Sequence, residues 1–323
     1  MNRSIGIFSL AFAALLSGCG FDDPARETRV YKVIDGCQLK VDVFRPAALG
    51  QRPAILWLHG GGLIAGCRDM LGARGTKAQL QRYMRAGIVV VAVDYRLAPE
   101  TKLAGILDDI RDAYRWTRTR GAAEFSIDSN RVALVGHSAG GYLALLGGVY
   151  LEPRPSAIVS FYGYGEILGD WCTHPSAYFV EKNPIAEGEA RASAGDGIIS
   201  HACYPTKRNR FYEFCRQRGL WTKEVTGFDP LTDSTLLMRF CPLLNITPEY
   251  PPTLLLHGDK DHDVPYEQSL LMEKKLELAG VRHGLITLAG LDHGFDYTNW
   301  NDAQVRAAFD SASVFLMNSV NTR

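Results

Sequence analysis

The chain has 323 residues, of which 46% are hydrophobic and 22% charged, a composition that supports a substantial buried core and excludes a disordered or fibrous polymer. Its 35 lysines and arginines balance 35 aspartates and glutamates. With no basic footprint, a nucleic-acid partner is not expected.

In chain order, the first segment holds Arg3, an apolar stretch from Ile5 to Leu16, and then small residues. This is the layout of a secretory signal, too short for a comfortable membrane span. Leu16-Ser17-Gly18-Cys19 resembles a bacterial lipobox. The resemblance implies a signal peptide over 1–18, lipidation of Cys19, and a tether over 19–28 holding an exported protein to a bacterial membrane, on its periplasmic or outer side. The competing reading is an ordinary signal peptide in which Cys19 is incidental. Export would place Cys37, Cys67, Cys172, Cys203, Cys215 and Cys241 in an oxidising compartment, where an even number permits up to three disulfides. Four of them fall between residues 172 and 241, which suggests a stapled insertion. The pairing stays open, with buried free thiols as the alternative. No pair has C-x-x-C spacing, so no structural zinc site is expected.

Strand-like segments at Arg29 to Ile34 and Leu39 to Phe44, with Gly36 between them, predict an antiparallel hairpin. The rhythm then becomes strand and helix in alternation: AILWL at 54–58, a helical TKAQLQRYMRAG at 76–87, IVVVAVDY at 88–95, and a helix over 106–117 with Ile106, Ile110, Ala113 and Thr117 on one face. Such alternation predicts a mostly parallel sheet with helices on both faces. After the buried strand SAIVSFYG at 156–163 the pattern breaks, and residues 164–245 are rich in aromatic, basic and cysteine residues, with one helical piece ending at Gly219. A stretch of this length without a strand period reads as a functional insertion or lid. The core, begun over 29–163, resumes over 246–323 with the strand TLLLHG at 253–258, a helix from Pro265 to Ala279 stopped by Gly280, the strand GLITLAG at 284–290, and a last helix. Asn301 followed by Gln304 predicts a capping box at the start of that helix.

The chemistry concentrates where strands end, which is where open α/β sheets carry function. In RVALVGHSAGGYLALL, 131–146, a buried strand runs into a helix with Ser138 on the turn, Gly136 two residues before it and Gly140 two after. This G-x-S-x-G spacing is that of a nucleophile elbow, although a serine-capped turn is the plainer alternative. LHGGG ends at Gly62 after the third strand, and its glycines let backbone amides approach a bound oxygen. Asp259, Asp261 and Asp263 follow the strand at 253–258, and His293 stands on the loop after the last strand. The order serine, acid, histidine is that of α/β-hydrolases.

The motifs HGGG at 59–62, DYRLAPE at 94–100 and GHSAGG at 136–141 resemble those of hormone-sensitive-lipase-like carboxylesterases of the α/β-hydrolase superfamily. HGDKDHDVP at 257–265 is more similar to the acid loop of prolyl-oligopeptidase-like and dienelactone-hydrolase-like members. The resemblance implies an α/β-hydrolase fold, in which residues 164–245, outside the resemblance, stand as a long lid-like insertion after the sixth strand. It also implies Ser138 as nucleophile, His293 as general base and then acid, and Asp261 as the acid orienting His293, with Asp263 in reserve. The backbone amides of Gly61, Gly62 and Ala139 would form the oxyanion hole. His59 and Asp94 are expected to hold loops, and His137 to serve the elbow. No metal or organic cofactor has a role to fill.

The function expected is therefore that of an exported, membrane-tethered serine esterase acting on small to medium acyl esters, acylated carbohydrates among the candidates. A peptidase of prolyl-oligopeptidase type and a non-catalytic binding protein on the same scaffold are the rival readings. Tyr162, Tyr164, Trp171, Tyr178 and Trp221 are candidates either to line a pocket or to form the insertion's own small core.

Overall fold

A computed structural model of the chain describes residues 25–47 and 50–320. The leader and Cys19 lie outside the described residues. Within them, no helix is long and apolar enough to cross a membrane.

The first two strands, β1 (Arg26–Ile34) and β2 (Cys37–Phe44), pair antiparallel with Ile34 opposite Cys37. The two residues between them, Asp35 and Gly36, take φ of 49° and 77°. Positive φ at both positions matches the right-handed twist of a hairpin, which explains an Asp-Gly pair there. β2 then pairs antiparallel with β4 (Val89–Val93).

From β4 onward the sheet is parallel. β3 (Arg52–Leu58) lies between β4 and β5 (Ile127–His137), followed by β6 (Ile158–Phe161), β7 (Thr253–Gly258) and β8 (His283–Leu288). The order across the eight-stranded sheet is β1-β2-β4-β3-β5-β6-β7-β8. Alternation along β3 divides the core in two. Ala54, Leu56 and Leu58 face one apolar layer, and Ile55 and Trp57 face the other, as the two-residue period of a strand requires. The first layer packs under α2 (Leu103–Trp116) and α3 (Ala139–Tyr150), through Ile106, Ile110, Leu143 and Leu146. The second packs under α1 (Arg74–Arg85) and a long C-terminal helix, Ala303–Val320, through Leu80, Tyr83, Phe309 and Leu316. Both faces are covered, which is why the central strands read as unbroken apolar runs.

Between β6 and β7 the chain builds short helices rather than strands, including Glu187–Ala194, α4 (Asn209–Arg218) and Trp221–Thr226. The sequence marks only α4, with Gly219 in the left-handed conformation that ends it. The cysteines do not staple this segment to itself. Cys203 is bonded to Cys67 in the loop after β3, while Cys172, Cys215 and Cys241 are buried free thiols and Cys37 is a half-buried one. Beyond β7 lies α5 (Glu267–Leu278), stopped at Gly280 with φ 70°. The last helix, α6 (Ala303–Val320), departs from the expected cap. Asp302 Oδ1 accepts the Gln304 N–H at 2.7 Å, and the Gln304 side chain turns away to the backbone of Ala289. The capping box fails because Gln304 finds a partner across the loop.

Candidate active site

At the carboxyl end of β5 the chain reverses into α3 within one residue. Ser138 takes φ 54° and ψ −120°, a conformation that costs energy in any residue with a Cβ and that persists only where its surroundings fix it. Here they do. The Ser138 N–H donates to the Phe161 carbonyl at 2.8 Å, and its carbonyl accepts the Tyr142 N–H at 3.0 Å. A Cβ on Gly136 would stand 2.0 Å from the Gly140 carbonyl oxygen, and one on Gly140 would stand 2.1 Å from that of Leu58. The flanking glycines are thus the condition for packing the start of α3 onto β3 and β5.

Ser138 Oγ lies 3.0 Å from His293 Nε2, and His293 Nδ1 lies 2.7 Å from Asp261 Oδ2. The three candidates drawn from separate strand ends form one continuous relay. The side chain of Asp261 is fully buried and well held, its Oδ1 accepting the N–H groups of Asp263 and Val264 at 2.9 and 2.8 Å. Burial alone would raise its pKa. The charge of His293 and hydrogen bonds from His257 and His293 outweigh that and hold the carboxyl well below the usual range. For His293, burial pulls the pKa down, but the Asp261 carboxylate overcomes it and the imidazole is pushed up to about 9.

Asp263, the reserve acid, is committed elsewhere. It sits 4.0 Å from His293 Nε2, accepts the Tyr212 hydroxyl at 2.6 Å, and pairs with Arg216 of α4. The choice between the acids is made by α4, which supplies both partners. Sequence reasoning missed His257, whose Nε2 reaches Asp261 Oδ2 at 3.1 Å while its Nδ1 meets Ser269 Oγ at 2.7 Å. Its place four residues before Asp261 was the available signal.

Gly61 and Gly62, with φ of 116° and 61°, border the same cavity as Ser138 and His293. Peptide planarity sets each N–H against the preceding carbonyl. The Gly60 carbonyl is engaged by His59 Nδ1 at 2.8 Å, and the Gly61 carbonyl accepts the N–H groups of Ile64 and Ala65 at 3.0 and 2.9 Å. The N–H groups of Gly61 and Gly62 therefore point away from those partners. Ala139 opens α3, where the first N–H groups have no acceptor within the helix. His59 is buried and stacked on Tyr95, with ring centroids 4.1 Å apart, and burial drives its pKa down to about 4. It acts as a neutral brace for the glycine loop. Asp94 likewise holds loops, accepting the Arg68 N–H at 2.8 Å. His137 turns its side chain away from Ser138 into a buried cluster with Gln79, Tyr162 and Asp296.

The relay opens on a cavity of about 590 Å³ bounded by Gly60 to Gly62, Ser138 and His293, with Met70, Tyr204, Tyr212 and Tyr297 around it. Of the aromatics proposed from sequence, Tyr162 borders the cavity. Tyr164, Trp171 and Trp221 pack on one another at 5.0 to 6.2 Å, and Tyr164 stacks on Tyr142 of α3 at 4.6 Å, so they extend the main core instead of forming a separate one; Tyr178 stacks on His262 at the surface. Tyr204 was missed because it stands in a short segment without a legible period, and Tyr212 because the period that marks α4 does not say which of its faces meets the cavity.

This strand order, elbow and relay define an α/β-hydrolase. The family model described as alpha/beta hydrolase fold matches residues 55–297, and the chain belongs to that family. It is similar to a Staphylococcus aureus protein of unknown function, with a TM-score of 0.72 at 20% identity, covering 91% of this chain and 99% of that one. It is also similar to the propionate-bound esterase 2 of Thermogutta terrifontis, with a TM-score of 0.66 at 23% identity, covering 91% and 94%. Both are likenesses of fold. A non-reducing polyketide synthase of Preussia isomera is 27% identical over 315 residues, which is 86% of this chain and 14% of the synthase. The chain thus spans a small part of the curated relatives it matches.

Proposed function

We propose that the protein is a serine esterase that hydrolyses small to medium acyl esters, acylated carbohydrates among them, through an acyl-enzyme on Ser138. The observation that carries this reading is the unbroken relay, 3.0 Å from Ser138 to His293 and 2.7 Å from His293 to Asp261, at the floor of a cavity large enough for a short acyl group and its alcohol.

In this reading Ser138 Oγ attacks the acyl carbon as its proton passes to His293 Nε2. Asp261 keeps Nδ1 protonated and stabilises the imidazolium that forms. The amides of Gly61, Gly62 and Ala139 donate to the developing oxyanion, each worth about 10²–10³ in rate. His293 then protonates the leaving alcohol, and water repeats the cycle on the acyl-enzyme. A thioester carbonyl presents the same carbon to attack, so acyl thioesters belong on the substrate panel. A peptidase of prolyl-oligopeptidase type would use the same relay, so peptide amides belong on the substrate panel beside the esters; the binding-protein reading has no observation of its own. The proposal includes export and tethering through a lipid on Cys19.

Initial rates on p-nitrophenyl esters of increasing acyl length, with Ser138→Ala as the control, test the reading. Serine-dependent turnover favouring short chains supports it. Turnover that survives Ser138→Ala contradicts it.

A further inference from the structure

Beside the cavity mouth, four metal-binding side chains converge from two parts of the chain. Gly66 and Ala202 exchange backbone hydrogen bonds of 2.8 and 2.9 Å. That bridge sets Cys67-x-Asp69, from the loop after β3, beside His201-x-Cys203 of the insertion. The donor atoms of Cys67, Asp69, His201 and Cys203 all lie within 4.8 Å of one another. The structure shows the two sulfurs bonded. We infer that, once that bond is reduced, Cys67, Asp69, His201 and Cys203 form a tetrahedral site for Zn²⁺, so that the same strap between core and insertion is closed by a disulfide or by a metal ion.

The geometry suits the ion. Zn–ligand bonds of about 2.0–2.3 Å at tetrahedral angles place neighbouring donors roughly 3.3–3.8 Å apart. His201 Nε2 lies 3.3 Å from Cys203 Sγ and 3.3 Å from Asp69 Oδ2. The ring is oriented as a ligand should be. His201 Nδ1 lies 2.9 Å from Asp94 Oδ2 and 3.0 Å from Arg68 Nη1; with Nδ1–H given to the carboxylate, the Nε2 lone pair faces the cluster. A carboxylate behind a histidine in this way fixes its tautomer and raises its basicity as a metal ligand. Asp94 is buried and further anchored by Arg68. Asp69 can give Oδ2 to a metal while Oδ1 stays 2.7 Å from Arg26. Two sulfurs, one nitrogen and one oxygen favour zinc over a hard cation such as magnesium.

The exchange balances. A dithiol or phosphine supplies two electrons, two protons are taken up, and the S–S bond becomes two thiols. Zn²⁺ then binds both as thiolates and two protons leave to solvent. Because Cys67, Asp69 and Cys203 all border the cavity, either closure keeps the insertion against the site.

The test uses the full chain, with Cys37→Ser as background to remove the half-buried thiol. It is reduced anaerobically with a phosphine, checked for a gain of two thiols, and titrated with Zn²⁺ against a chromophoric chelator. The reduced protein should bind one Zn²⁺ and the oxidised protein none. Co²⁺ in its place should show thiolate charge-transfer and tetrahedral ligand-field bands. His201→Ala should weaken binding by at least 10–100-fold while circular dichroism stays unchanged, and Asp69→Ala, on the other segment, should act in the same direction. The inference is overturned if the bond resists reduction in the folded chain, if oxidised protein binds equally, or if both substitutions leave the affinity unaltered.

Discussion

Asp261 and Asp263 are two residues apart in one loop, yet their surroundings give them different tasks. Asp261 is buried against His293 and His257 and receives two backbone N–H groups, whereas Asp263 is held by Tyr212 and Arg216. Asp261→Asn should therefore lower kcat by about 10³–10⁴, because it leaves the histidine in the wrong tautomer, while Asp263→Asn should cost far less. Steady-state kinetics of the two variants check this, and the reverse order would exchange their roles. The same residues set a pH dependence. His293 must be neutral to accept the serine proton, and the Asp261 carboxylate raises its pKa to about 9. In the free enzyme kcat/KM should then rise with pH along an acid limb whose midpoint lies well above 6.5, and Asp261→Asn should move that midpoint down. A wild-type limb centred below 6.5 would contradict the assignment. Ser138, His293 and Asp261 were legible because each follows a strand within a motif. The competition of α4 for Asp263 was not, since Tyr212 and Arg216 lie far away in sequence within a segment lacking a motif.

Elements with a strong period were read within a few residues. β7 falls on the predicted 253–258, and the hairpin turn sits at Gly36. Helices of one or two turns in the insertion were not, because so few residues carry no period and draw their stability from packing rather than propensity. The N-terminus of α6 shows a related limit, since Gln304 satisfies the spacing of a cap but binds Ala289 across the loop. At the elbow, spacing and packing agree. A methyl at Gly140 would meet the backbone of β3, so Gly140→Ala should destabilise the fold by about 1–3 kcal/mol and lower activity with it. Denaturant unfolding measures the first effect, and an unchanged midpoint would show that α3 can shift away.

Across the whole molecule, the insertion is bound to the core by contacts that converge on the site. Trp221 Nε1 donates to the Gly62 carbonyl at 2.8 Å, Arg208 pairs with Glu100 at 2.7 Å, Arg216 with Asp263, and Cys203 is bonded to Cys67. Gly62, Asp263 and Cys67 border the cavity, and Glu100 follows Ala98, whose N–H donates to the Leu63 carbonyl just after the glycines. Arg216 is buried on Asp263, so Arg216→Ala leaves that carboxylate without its cation and should cost about 3–5 kcal/mol. Activity should fall as well, because a freed Asp263 is placed to compete with Ser138 for His293. Thermal unfolding read together with kcat distinguishes this from a purely structural role, in which kcat would hold at temperatures where the variant stays folded. The mostly parallel sheet and the covering of both its faces followed from the alternation of strands and helices, but the strand order and the seat of the insertion over the cavity depend on contacts between distant residues that no local pattern encodes.

The most direct test of the account is covalent labelling of the intact protein by a fluorophosphonate, followed by peptide mapping. A single adduct on Ser138, lost in His293→Ala, is the predicted result. A protein that stays unlabelled, or carries its adduct on another residue, would contradict the serine-nucleophile reading.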